Sequence, residues 1–167
     1  EAGTILSYHD RSDGGLFAAV CEMAFAGRIG VSLNLDMLTF DANAAYWGDY
    51  KIRADQVAVQ RGEAVLRALF NEEAGVILQV PAGERDAVMS VLRGAGLSAH
   101  SHVIGKPNTT DEIEVFSDAK RVWGQPRVVL ARAWSEVSHQ IMRLRDNPAC
   151  ADGEYDVWLD ARDPGLA

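Results

Sequence analysis

The 167-residue sequence is short of several things, and each shortage closes off a class of function. It has only two cysteines, Cys21 and Cys150. Cys21 falls within a segment of helical periodicity and Cys150 in a polar tail, so neither fits a disulfide framework of the kind that staples small secreted domains. A reducing, cytoplasmic setting is the expectation. There is no CxxC, HExxH or GxSxG, which removes the plainest zinc, metalloprotease and serine-hydrolase readings. No apolar run approaches the ~20 residues that span a bilayer, so no membrane role is expected. The opening Glu1-Ala2-Gly3 has no Met and no signal-peptide pattern. Basic residues are the scarcer sign, with 16 Lys and Arg against 24 Asp and Glu and a net charge of −8. That balance argues against a nucleic-acid partner or an anionic membrane surface, both of which require a basic patch. It leaves phosphate ligands open, because N–H groups and metal ions bind those locally. Internal repeats and low-complexity tracts are also missing.

What is present fits one globular domain: 48% hydrophobic and 24% charged residues. A domain of this length buries roughly 70% of its unfolded surface. Thr4–Tyr8 reads as a buried strand. Residues 14–27 read as a helix with Leu16, Ala19, Val20, Met23, Ala24 and Gly27 on one face. Val31, Leu33 and Leu35 alternate with polar residues as in a half-buried strand. Residues 37–59 hold no period and read as a loop or insertion that Phe40, Tyr46 and Trp47 tuck down. A helix follows over Arg61–Phe70, then a strand over Gly75–Val80 whose continuous apolar run predicts a covered place in a sheet. Further expectations are a helix over Glu84–Gly94 buried through Ala87, Val88, Val91 and Leu92, a strand near Ala99–Ile104, and another around Ile113–Phe116. Gly124-Gln125-Pro126 interrupts the chain, and Val128–Leu130 extends briefly. The final helix carries Trp134, Val137, Ile141 and Leu144 at spacings of three and four, and Asn147-Pro148 ends it. Residues 149–167 read as a linker or an extended arm that packs on a neighbour. Interleaved strands and helices of this kind predict an α/β (α+β) sandwich, a mixed sheet with helices on one or both faces.

The run His9-Asp10-Arg11-Ser12-Asp13-Gly14-Gly15-Leu16 stands at the strand-to-helix turn. Two carboxylates, a hydroxyl and paired glycines there are what a phosphate and its magnesium ion need. The helix end offers free N–H groups to the anion, the glycines allow close backbone approach, and a carboxylate takes the hard cation. The same residues also suit a plain turn, with Ser12 or Asp13 capping the helix and Asp10 a solvated loop acid.

Other candidates are weaker. Cys21 with His9 could suggest a thiol nucleophile, but Cys21 lies two turns into a helix on its core side. His100 and His102 would share one face of a strand, two ligands without a third, so a solvated face is the better account. His139 reads as a surface or packing residue on the last helix. Glu72-Glu73 could help a cation site, but a pair of solvated turn acids is the better account.

The run HDRSDGGL, with Glu22-Met23-Ala24-Phe25-Ala26-Gly27, resembles the second of two related C-terminal-type domains in phosphoribosylformylglycinamidine synthases, the large glutamine-dependent amidotransferases of purine biosynthesis. The resemblance continues through Ala68–Val80, resumes at Met142–Ala151 and again at Asp163-Pro164-Gly165-Leu166, in the family's order and over nearly the whole chain. It implies an AIR-synthase C-terminal-type domain over residues 1–146, and 147–167 as a linker towards a glutaminase domain. The domain's opening segment would precede Glu1, in keeping with an excised piece of a longer polypeptide; a cloning remnant is the competing account of the missing Met.

By the same resemblance the parent enzyme is a carbon–nitrogen ligase that converts formylglycinamide ribonucleotide to the amidine with ATP and glutamine-derived ammonia. The second-half motif is associated with an auxiliary site for ADP and Mg²⁺. This places a magnesium-ligand role on Asp10 and a nucleotide contact on Ser12, with no catalytic residue in the chain and His9 structural first. Partners are the preceding and following domains of the same polypeptide. The alternatives are another member of the wider superfamily (aminoimidazole ribonucleotide synthetase, thiamine-phosphate kinase or selenophosphate synthetase), whose glycine motifs differ, or a non-enzymatic scaffold with a vestigial nucleotide pocket.

Overall fold

Helix α1 (Gly15–Gly27) is the hub of the computed structural model, which describes residues 4–39 and 54–160, with side chains described outside 54–60. It buries Leu16, Ala19, Val20 and Ala24 of the face its periodicity predicts, together with Cys21 and Phe25, whereas Gly27 is exposed and Met23 only half-buried. Against it lies a four-stranded mixed sheet of order β4-β2-β5-β6, made by β2 (Gly30–Asn34), β4 (Gly105–Asn108), β5 (Glu112–Ser117) and β6 (Lys120–Pro126). β2 runs parallel to β5 with Leu33 opposite Val115, and the β2–β4 and β5–β6 pairs are antiparallel. Alternation does the sorting here. Leu33, Ile113 and Val115 are fully buried on the helix side, where they meet Leu16, Val20, Phe25 and Ala131.

Ser32 and Glu114 face the other way, and Ser32 Oγ donates to Glu114 Oε2 at 2.8 Å. Arg121 ties Glu112 and Glu114 at 2.6 and 3.2 Å, and Asn108 Nδ2 donates to Ser32 Oγ at 3.0 Å. One face is thus apolar and covered by helices, the other polar and partly exposed. This is the expected mixed-sheet sandwich.

β1 (Ser7–Arg11) and β3 (Gly75–Gln79) form a separate antiparallel ribbon, with His9 opposite Ile77 and Asp10 opposite Val76. Neither strand is covered as expected. Ile5, Leu6, Tyr8 and Val76 are exposed, because among the described residues no third layer lies over the ribbon. β1 also runs later than predicted and takes in His9, Asp10 and Arg11. α3 (Ala54–Phe70) starts seven residues ahead of the predicted helix and packs Leu69 and Val65 on the core; a four-residue helix, α2 (Asp36–Thr39), touches it. α4 (Arg85–Gly94) forms where expected but buries no residue, and Val91 is 73% exposed. Ser98–His100 is a 3-10 turn and not a strand, so His100 and His102 do not share a strand face.

Val128–Leu130, expected to extend, belongs to the long helix α5 (Arg127–Arg145). Arg127 is buried at its start, gripping Asp111 through Nε (2.6 Å) and Nη2 (3.0 Å). Asn147-Pro148 ends α5 but opens another helix, α6 (Pro148–Asp156), in place of an extended arm. The Asn147 side chain accepts from the Ala149 and Cys150 N–H groups, and Pro148 takes the first-turn position where no N–H is needed. α6 folds back on α5. The Tyr155 ring lies parallel to His139, centroids 4.0 Å apart, with the Arg132 guanidinium 3.8 Å from the Tyr155 centroid. The Tyr155 hydroxyl donates to Glu136 at 2.6 Å, and His139 Nε2 lies 2.9 Å from Asp152. Trp158 closes the hairpin against Phe25 and Arg28. The aromatics Phe40, Tyr46 and Trp47 and the motif Asp163–Leu166 lie outside the described residues.

Candidate functional site

The motif folds as strand, turn and helix. On β1 the side chains alternate: His9 and Arg11 turn towards the body of the protein, while Asp10 points out, its side chain 70% exposed. His9 Nε2 stands 3.0 Å from Glu22 Oε2 on α1, and Nδ1 stands 2.6 Å from the Asp10 carbonyl. His9 thus bridges β1 and α1. Arg11 reaches the other neighbour, with Nη1 on Glu73 at 3.0 Å and Nη2 on the Ala68 carbonyl at 3.3 Å. Asp10 is left between two anchored neighbours, its carboxylate no closer than 3.8 Å to His9.

Ser12 opens the turn and is exposed, its carbonyl accepting from the Gly15 N–H at 2.9 Å. Gly14 and Gly15 have φ of +78° and +69°, backbone that favours glycine. Close approach adds a second demand, since a Cβ on Gly15 would stand 2.8 Å from the Leu69 carbonyl oxygen and 2.9 Å from the Phe70 carbonyl carbon. Gly15 thus docks the turn onto the C-terminal end of α3. Neither Ser12 nor Asp13 caps α1: its N-cap is Gly14, and no side chain of the cap residue bonds there.

The cap comes from elsewhere. Glu72, just past α3, accepts the Gly14 N–H at 2.8 Å. Glu72 and Glu73, read from sequence as solvated acids, thus latch the turn and Arg11, while remaining exposed. The signal available in the sequence was their position, an acidic pair directly after an apolar helix and before an apolar strand. Nothing local revealed that the helix end they serve lies nearly sixty positions earlier.

The electrostatics set what this turn can hold. Asp10 and Ser12 offer oxygen donors to solvent, which suits one ligand of a hard cation and one polar contact to a nucleotide. Among the described residues no group of three His, Cys, Asp or Glu side chains is placed to hold a metal ion. One N–H at the helix start, that of Gly14, is already taken by the Glu72 carboxylate. Cys21 is no nucleophile: burial, aided by Glu22, pushes its thiol up to about 12. A hollow of about 290 Å³ lies behind the latch, lined by Leu38, Thr39, Ala64, Arg67, Asn71 and Glu73. No helix of the described residues is long and apolar enough to cross a membrane.

Residues 1–118 match the family described as AIR synthase related protein, C-terminal domain. The chain belongs to that family, whose match covers the motif, both sheets as far as β5, and helices α1 to α4. The fold is also similar to that of Thermotoga maritima PurL complexed with ATP, at 12% identity and a TM-score of 0.52, over 77% of this chain and 19% of that one. PurL from the same organism complexed with FGAR gives 12%, 0.51, 77% and 18%. The crystal structure of phosphoribosylformylglycinamidine synthase II from Thermotoga maritima gives 12%, 0.51, 77% and 19%. At this identity the likeness is one of fold. The matched region spans less than a fifth of the length of these structures.

Proposed function

We propose that this chain is part of an ATP-dependent phosphoribosylformylglycinamidine synthase, in which residues 1–146 form the second C-terminal-type domain and 147–167 lead towards a glutaminase domain. The whole enzyme would take formylglycinamide ribonucleotide, glutamine and ATP. ATP activates the amide oxygen and ammonia displaces the phosphate, in the cytoplasm. Within it, this piece serves an auxiliary ADP–Mg²⁺ site: Asp10 is one magnesium ligand and Ser12 a nucleotide contact, with the remaining ligands on other segments. The chemistry lies elsewhere in the enzyme.

The observation that carries this reading is the exposed Asp10 carboxylate, presented at the end of β1 between two anchored neighbours. Family membership and the fold shared with PurL support it. Partner domains on the same polypeptide find support in α5, where Trp134 (60%), Val137 (69%), Ile141 and Leu144 (90%) form an exposed apolar stripe. Lone soluble domains rarely leave contiguous apolar surface of this kind. Calorimetry of ADP with Mg²⁺ on the full-length enzyme tests the site. Asp10→Ala and Ser12→Ala should each lower affinity by tenfold or more, and unchanged affinity in both refutes the assignment. The 167-residue chain alone should give no synthetase turnover.

The scaffold reading, with a vestigial pocket, is favoured by one observation: the helix end nearest the motif already has an acid of the chain itself on it. Full-length enzyme purified without nucleotide, and indifferent to its addition, would establish that reading instead.

A further inference from the structure

Glycine turns at helix starts invite the reading that backbone N–H groups cradle a phosphate. Here the two N–H groups of the glycines themselves are already taken. Gly14 N–H donates to Glu72 and Gly15 N–H to the Ser12 carbonyl, while a Cβ on Gly15 would run into the end of α3. The C-terminal end of α3 abuts this turn, so its carbonyl-rich end already lies against the positive end of α1. Arg11 holds the arrangement by bridging the Ala68 carbonyl and Glu73. Asp13, Glu72 and Glu73 surround the turn with negative charge, which a free phosphate would have to approach.

We infer that Glu72 is the built-in anion of this helix end, and that it shuts phosphate out of the glycine turn. A nucleotide then meets the motif only from the side of Asp10 and Ser12, with its phosphates presented through a cation rather than to the N–H groups. This last step rests on the nucleotide reading above; the closure by Glu72 does not. Glu72 is a positioning residue that holds the turn carrying Ser12 and prevents the helix from competing for phosphate.

The test uses inorganic phosphate on the ¹⁵N-labelled 167-residue chain, titrated to tens of millimolar against chloride at constant ionic strength. In the wild type the Gly14 and Gly15 amide signals should stay in place. In Glu72→Ala they should shift saturably with phosphate, and Gly14 amide exchange without phosphate should quicken about fivefold, as expected for the loss of one capping bond. A wild-type response equal to that of the variant overturns the inference, and so does a variant as indifferent as the wild type. If Glu72→Ala loses its dispersed spectrum, Glu72→Gln decides. It keeps an acceptor for Gly14 but drops the charge, so a phosphate response above that of wild type supports the closure and an identical one refutes it. Failure of the nucleotide reading would show separately, in the calorimetry of the full-length Asp10→Ala enzyme, and would leave the phosphate result standing.

Discussion

The four-stranded sheet and the two-stranded ribbon each contain strongly apolar strands, β2 and β5 in one and β3 in the other, yet only the sheet is finished, in that it buries them. β2 and β5 seat Leu33, Ile113 and Val115 against α1, with exposures of 2% or less. β3 carries Val76, Ile77 and Leu78, as apolar as any strand in the chain, but none of them is fully buried. α4 repeats the contrast with α1, being amphipathic in sequence and unburied in the fold. Apolar periodicity states which face seeks cover; it does not say that the cover lies within the same stretch of chain.

The largest expected effect breaks this comparison at the finished side. Leu33→Ala should cost about 3–4 kcal/mol in urea unfolding, since it empties a fully buried site, whereas Val91→Ala on α4 should change stability by less than about 0.5 kcal/mol. Equal costs would mean that α4 is covered after all. Gly15→Ala probes the seam where α1 meets α3 below the ribbon. With positive φ and backbone atoms of Leu69 and Phe70 within 3 Å of the new methyl, it should cost about 2–3 kcal/mol in the same unfolding measurement.

A smaller effect concerns the α5–α6 hairpin. Hydrogen bonds from Tyr155, then Gln140, hold the Glu136 carboxyl below the ordinary glutamate value. A lowered folded value gives stability that is complete above the unfolded value of 4.5 and is lost as pH falls through the lower folded one. Acidification below pH 4.5 should therefore loosen α6 from α5, read by Trp158 fluorescence. Asp146, lowered by Arg145, titrates with the same sign, so the informative quantity is the difference made by Tyr155→Phe. That variant should raise the Glu136 titration towards its ordinary value by NMR. The smallest effect is chemical: at pH 8 the native chain should give one rapid thiol equivalent, from exposed Cys150, and a second only on unfolding, because Cys21 is buried and its thiol sits near 12.

Much of the finished half was legible. Helix α1, strands β2 and β5 and the inward set Leu16, Val20 and Leu33 follow from spacing alone. What was not legible depended on distant partners. The ribbon's lack of cover, the extension of α3 and the exposure of Trp134 and Leu144 are set by what lies opposite, which periodicity does not record. Asn147-Pro148 illustrates a local ambiguity, since proline that stops one helix is equally suited to start the next. At the motif, the alternation along β1 that turns His9 inward and Asp10 outward emerges only once the strand is seen to run on to Arg11. Glu72 is an exposed turn acid as read, but its bond to the Gly14 N–H was not legible because that residue is remote in sequence.

The order of strands has one more consequence. β2 is made early, but both of its neighbours, β4 and β5, come after α3, β3 and α4 have been synthesised. During translation Gly30–Asn34 has neither sheet neighbour until Gly105–Asn108 has left the ribosome, and its parallel partner follows only with Glu112–Ser117, so the apolar face of α1 waits with it. Nascent chains stopped short of β5 should be cleaved readily by protease in this early segment, and those extended past β6 should resist. The interval between is when this polypeptide would depend most on chaperones.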